Sequence, residues 1–187
     1  MEDGLYFDIC KQAVDYALEI RKAFEAKGVE MYGTSMTNQQ FPILPNEMMD
    51  KPMSYYAFQM LYWCGIRVGE LLALTPLDFD FKSRTVTISK SYQRLHGEDI
   101  ITSPKTPKSN RTIKMPKFLC EEIQEYIGMF YHAGENDRIF PITKSYLHHE
   151  MDRGSDKAGV KRIRIHDLRH SHVSLLINMG FSAVAIA

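Results

Sequence analysis

The 187-residue chain is poor in cysteine, has no long apolar run and carries no net charge. Its three cysteines, Cys10, Cys64 and Cys120, are odd in number, widely spaced and form no CxxC pair. That argues against a disulfide framework or a cysteine-based zinc site and favours free thiols in a reducing cytoplasm. The longest apolar runs, such as Ile43–Leu44 and Leu71–Leu74, are far too short to span a bilayer. The N-terminus lacks the basic-then-apolar start of a signal peptide. The expectation is a cytoplasmic protein with no membrane partner. A hydrophobic fraction of 44% and a charged fraction of 25% fit one globular domain with a real core.

The zero net charge comes from 23 basic and 23 acidic residues, and alone it counts against a polyanionic partner. The distribution reverses that reading. Residues 1–50 hold four basic and nine acidic side chains, whereas residues 82–117 hold nine basic ones and only Glu98 and Asp99 as acids. Residues 151–172 hold six basic and three acidic. A polyanion would meet the middle and the C-terminal part of the chain.

Residues 5–27 repeat apolar side chains every three to four positions (Leu5, Ile9, Ala13, Tyr16, Ile20, Phe24), which predicts an amphipathic helix stopped by Gly28. Residues 33–46, with Gly33, Pro42 and Pro45, read as a linker. A boundary is placed between an N-terminal segment, 1–45, and a main domain, 46–187. A mostly apolar helix is predicted from Pro52 to about Leu74, ended by Pro76. Three strand-like stretches follow at Thr85–Ser89, Asp99–Ser103 and Arg111–Met115. Between the last two, Pro104 to Asn110 reads as a basic turn. Helices return at about 117–132, 144–158 and His166–Met179. The predicted class is α+β, mainly helical, with a small antiparallel three-stranded sheet.

Three motifs carry chemistry. The first, Cys64-Gly65-Ile66-Arg67-Val68-Gly69-Glu70-Leu71, sets an arginine between two glycines with Glu70 three residues on. By itself it could be a surface ion pair. The second, His166-Asp167-Leu168-Arg169-His170-Ser171-His172, puts His166, Arg169 and His170 on one helical face. A guanidinium beside an imidazole suits a phosphate, because arginine grips two oxygens and histidine moves a proton near neutral pH. The bland alternative is a solvated helix start. The third is Lys105 on the basic turn, able to reach and protonate a leaving oxygen, or simply one of a solvated charge cluster.

In this order and spacing, Gly-x-Arg-x-x-Glu-Leu, a Pro-Lys-Thr and Ser-x-Arg hairpin, and His-x-Leu-Arg-His resemble the catalytic domain of tyrosine recombinases, the phage- and transposon-type integrases. The resemblance runs from about Asn46 to Ala187 and includes Leu74-Thr75-Pro76-Leu77-Asp78-Phe79-Asp80. It implies that Arg67 and Arg169 grip the scissile phosphate, that Lys105 protonates the departing 5′ oxygen, and that His166 transfers protons and binds phosphate. Lys108, Arg111, Arg164 and His170 are the implied DNA-contacting neighbours. Glu70 is read as a support for Arg67. The implied reaction is cleavage and rejoining of double-stranded DNA through a 3′-phosphotyrosine, in a synaptic complex with further recombinase protomers and with no metal or other cofactor.

The resemblance is incomplete at both ends. All ten tyrosines lie at or before Tyr146, so none occupies the family's nucleophile position, and the expectation is a C-terminally truncated catalytic domain. Tyr55, Tyr56 and Tyr62 are read as helix core and Tyr92 as sheet. Residues 1–45 match the family poorly. Three rival readings stay open: a non-catalytic DNA-binding remnant, a type IB topoisomerase, and a metal site on His166 and His170 with a third ligand from His148, His149 or His172. Against the metal, Asp167 is one methylene shorter than a zincin's glutamate, and Arg169 on the same face repels a cation.

Overall fold

The computed structural model describes residues 43–103, 110–130 and 134–178. The helix predicted over 5–27 lies outside them. The chain enters with α1 (Ile43–Asn46), whose Leu44, followed by Met48, is already in the core. α2 (Pro52–Trp63) starts on Pro52, where the missing amide hydrogen breaks no helical bond.

α2 stops eleven residues short of the predicted end near Leu74. Gly65 takes a left-handed φ of +58°, Arg67 is extended (φ −79°, ψ 152°), and a single turn, α3 (Val68–Leu71), follows. A β-carbon at Gly65 would lie 2.4 Å from Cδ2 of His172. Backbone geometry and space both demand glycine there, and it is this break that turns Arg67 off the helix axis.

After a 3-10 turn at Pro76–Asp78, capped by Asp78 Oδ2 accepting from the Thr75 amide at 2.7 Å, five short strands follow: β1 (Phe79–Asp80), β2 (Thr85–Ile88), β3 (Ser91–Leu95), β4 (Glu98–Thr102) and β5 (Arg111–Lys114). They form an antiparallel three-stranded sheet in the order β1-β2-β5 and a separate β3–β4 hairpin. The predicted sheet is present, but its membership differs. The Asp99–Ser103 stretch pairs with Ser91–Leu95 (Tyr92 opposite Ile101), and β1 takes the third place instead. A local turn decides this: His96 and Gly97 both have positive φ, as a two-residue type I′ hairpin turn requires. β5 pairs with β2, Val86 opposite Ile113 and Ile88 opposite Arg111.

Three helices complete the described fold. α4 (Lys117–Gly128) buries Leu119, Ile123 and Tyr126 and ends earlier than the predicted 132. α5 (Lys144–Ala158) starts at Thr143, whose hydroxyl accepts from the Tyr146 amide at 3.1 Å, and ends on left-handed Gly159. α6 (Asp167–Asn178) packs Leu168, Ser171 and Leu175 inward, against α2. One core of Phe58, Tyr62, Leu71, Val86, Phe140 and Leu168, among others, holds helices and sheet together. No described helix is long and apolar enough to cross a membrane.

Candidate active site

Two helix ends meet at the Gly65 turn. α6 brings Arg169 to it, and Arg169 donates from Nη1 to the Gly65 carbonyl oxygen, two residues before Arg67. Three residues further along α6, the His172 ring packs against Gly65. The first and second sequence motifs therefore converge on one backbone turn.

Arg67 is anchored to its own turn. Its amide donates to Glu70 Oε2 and its Nη1 to Glu70 Oε1, both at 2.9 Å. The Glu70 carboxylate is almost fully buried, and Arg111 from β5 binds it in a fork, Nη1 to Oε1 at 3.1 Å and Nη2 to Oε2 at 2.7 Å. Burial alone would raise the Glu70 pKa. The bonds from Arg111 and Arg67 outweigh it and hold the carboxylate below its ordinary range. Glu70 thus braces the turn that presents Arg67. Arg111, expected to contact DNA, is partly buried and engaged with Glu70.

Arg169 is affected in the opposite sense. Burial first, then the nearby charges of Arg67 and Arg111, lower its pKa, and Glu70 acts against them. Three guanidiniums and one carboxylate at one point leave an excess of two positive charges. Such a cluster is repulsive on its own and complementary to an anion that accepts several N–H bonds.

His166 and His170 lie beside this cluster with ring centroids 5.0 Å apart, edge to face, and both are exposed. Partial burial, then His170 and Arg169, lower the His166 pKa, which favours a neutral imidazole. Arg164 folds back on Asp167, Nη2 to Oδ1 at 2.9 Å and Nε to Oδ2 at 3.1 Å. That bond to Arg164 is the main reason the Asp167 pKa is lowered. Lys105 and Lys108 fall in residues 104–109, outside the described residues.

A cleft of about 920 Å³ opens from Arg67 and His166 between the β3–β4 hairpin and the start of α5. Arg94, Lys144, His148 and Arg164 also line it. Sequence reading did not single out Arg94 or Lys144, which belong to no motif and meet only through tertiary packing. It also missed the place of His172, weighed only as a metal ligand. The signal was its position three residues after Arg169, on the same helical face. Among the described residues, no three His, Cys, Asp or Glu side chains gather in a way that could hold a metal ion.

The described tyrosines lie mostly elsewhere. Tyr62 is in the core, Tyr55 donates to Glu122 at 3.2 Å, and Tyr146 bonds Ser54 at 3.1 Å. Tyr92 lines the cleft, but its hydroxyl donates to Asp99 Oδ1 at 2.7 Å, and Arg138 sits over its ring, 4.1 Å from the centroid. The bond to Asp99, then burial, raises the Tyr92 pKa.

A mixed fold with helices around small antiparallel sheets brings two arginines to one glycine turn. The phage integrase family model matches residues 34–187, and the chain belongs to that family. It is 29% identical over 142 residues to the ICEBs1 integrase of Bacillus subtilis, covering 69% of this chain and 39% of that protein. It is 29% identical over 139 residues to tyrosine recombinase XerA of Thermococcus onnurineus, covering 69% of this chain and 43% of that protein. The chain thus spans about two-fifths of the length of these curated relatives. Its fold is similar to that of the Tn1549 transposon integrase, solved with a circular intermediate DNA, at a TM-score of 0.69 and 22% identity, covering 84% of this chain and 57% of that one.

Proposed function

We propose that this chain carries the phosphate-gripping machinery of a site-specific DNA recombinase, which cuts and rejoins double-stranded DNA through a 3′-phosphotyrosine. The observation that carries this reading is the Arg169 bond to the Gly65 carbonyl, which brings the second arginine to the turn presenting the first. In this reading Arg67 and Arg169 bind the non-bridging oxygens of the scissile phosphate. Their charge stabilises the crowded negative charge of the transition state, the work a metal ion does in other phosphoryl-transfer sites. His166, neutral near physiological pH, accepts or supplies a proton there, and Lys105 protonates the departing 5′ oxygen. Lys108, Arg164 and His170 contact neighbouring backbone. The partners are double-stranded DNA and further recombinase protomers in a synaptic complex. Buried Cys64 and Cys120 thiols fit a reducing cytoplasm.

One observation favours a second reading, non-catalytic DNA binding. The one tyrosine lining the cleft among the described residues, Tyr92, is tied to Asp99 and Arg138 rather than free to attack. A half-nicked duplex carrying the junction of the element that encodes the chain separates the two. A protein–DNA adduct that survives denaturant supports cleavage. Salt-sensitive binding without an adduct supports the second reading, and absence of DNA binding rejects both.

A further inference from the structure

We propose that Arg111 is a positioning residue that sets the direction of the Arg67 guanidinium through Glu70, and does not itself touch DNA. The inference rests on the phosphate-gripping reading given above.

A carboxylate offers about four lone-pair sites. At Glu70 they meet four N–H groups: two from the Arg111 fork, the Arg67 amide and Arg67 Nη1. Arg111 takes one site on each oxygen, so Arg67 can spare only one end of its guanidinium for Glu70. Exposure follows the same division: the side chains of Glu70, Arg111 and Arg67 are 8%, 26% and 54% exposed. The less exposed partner of the carboxylate is Arg111, and the arginine left to face the cleft is Arg67.

Remove the Arg111 fork, and two acceptor sites open on a buried carboxylate. An under-compensated buried charge is costly, and Arg67, already bonded at one end, is the guanidinium placed to fill both sites. It would rotate into a fork of its own and withdraw from the cleft. Lysine cannot substitute, because an ammonium supplies charge without two parallel bonds. Arg111 opens β5 directly after the stretch that carries Lys105, so the same fork ties that strand to the Arg67 turn.

The test is fluorescence anisotropy of the 187-residue chain on a short random-sequence duplex across a range of salt. Removing one phosphate-neutralising side chain reduces the slope of log affinity against log salt by about 0.9. We expect Arg67→Ala, Arg111→Ala and Arg111→Lys each to lower the slope by about 0.9, and the double variant Arg67→Ala/Arg111→Ala to lower it by about 0.9 as well. A drop of about 1.8 in the double variant would make Arg111 an independent DNA-binding residue and overturn the proposal. An unchanged slope in Arg111→Ala and Arg111→Lys would overturn it too. Partial unfolding lowers the active fraction without changing this slope, and Arg111→Lys keeps a cation beside Glu70 should the alanine variant fail to fold. Wild-type binding that ignores salt, or a slope indifferent to Arg67→Ala, rejects the underlying phosphate reading and the inference with it.

Discussion

Arg169 donates its Nη1 hydrogen bond to the carbonyl oxygen of Gly65, 104 residues earlier in the chain. The acceptor is backbone, which any residue at position 65 could supply. What glycine adds is the left-handed φ of +58° and room for His172, whose Cδ2 would stand 2.4 Å from a β-carbon. The turn that presents Arg67 therefore depends on a side chain that is not there.

Gly65→Ala should cost roughly 1–2 kcal/mol for the left-handed backbone and a further ~1–3 kcal/mol for overpacking against His172. Urea denaturation reads the sum. Truncating the ring in Gly65→Ala/His172→Ala should recover part of the loss. A single-variant cost under about 1 kcal/mol would show that the close approach is not required.

His172 links the same turn to pH. Burial, then the charge of Arg169, lowers its pKa to about 4 against the opposing pull of the Tyr62 backbone, and its Nδ1 has no hydrogen-bond partner among the described residues. The unfolded chain takes up this proton near the ordinary histidine value of about 6.5, the folded chain only near 4. Falling pH therefore favours the unfolded chain, and stability present above about 6.5 drains away towards 4. Stability measured against pH across this window should fall in the wild type and flatten in His172→Phe. Parallel curves would assign the loss to other groups.

Glu150 knots the start of α2 to α5. It accepts from Lys51 at 2.6 Å, from Ser54 at 3.0 Å and from Arg153 at 2.7 and 3.1 Å. Burial works to raise its pKa, but those bonds prevail and lower it. Its stabilising contribution is complete above the unfolded glutamate value of about 4.3 and is lost as acid protonates the folded carboxylate. Glu150→Gln should cost about 2–3 kcal/mol, less than a fully buried pair because Lys51 and Arg153 reach water. The variant should also lose less stability than the wild type on acidification below about pH 4. An unchanged melting temperature at neutral pH would reduce the knot to surface decoration.

Arg67→Ala and Arg169→Ala should each weaken binding to duplex DNA at fixed salt by about 1.5–3 kcal/mol, the scale of a charge-assisted hydrogen bond, or roughly ten- to a hundred-fold. Lys108→Ala should do less, since a lysine acts as a hydrated point charge. Competition binding compares the three. Equal effects would demote both arginines to ordinary surface charges.

The motifs that bear the chemistry were legible in the linear chain, because residue type and local spacing carry them. Arg67 with Glu70 is an i,i+3 pair, and His166, Arg169 and His170 share a helical face whatever they pack against. α5 was legible too, with Gly159 marking its end. The hairpin was not. Ser91–Leu95 reads Ser-Tyr-Gln-Arg-Leu, with Tyr92 alone buried, so no alternation announced a strand. Its pairing with β4 was decided by two positive-φ residues at the turn.

Sequence alone determined which charges this protein owns and the order in which they come, since short-range periodicity fixes what shares a face. Only the tertiary structure decided which of them meet. Arg169 reaches Gly65 because α6 packs on α2, and Arg111 reaches Glu70 because β5 pairs with β2. Both are consequences of burying one core, and no local pattern encodes a meeting of residues 41 or 104 positions apart.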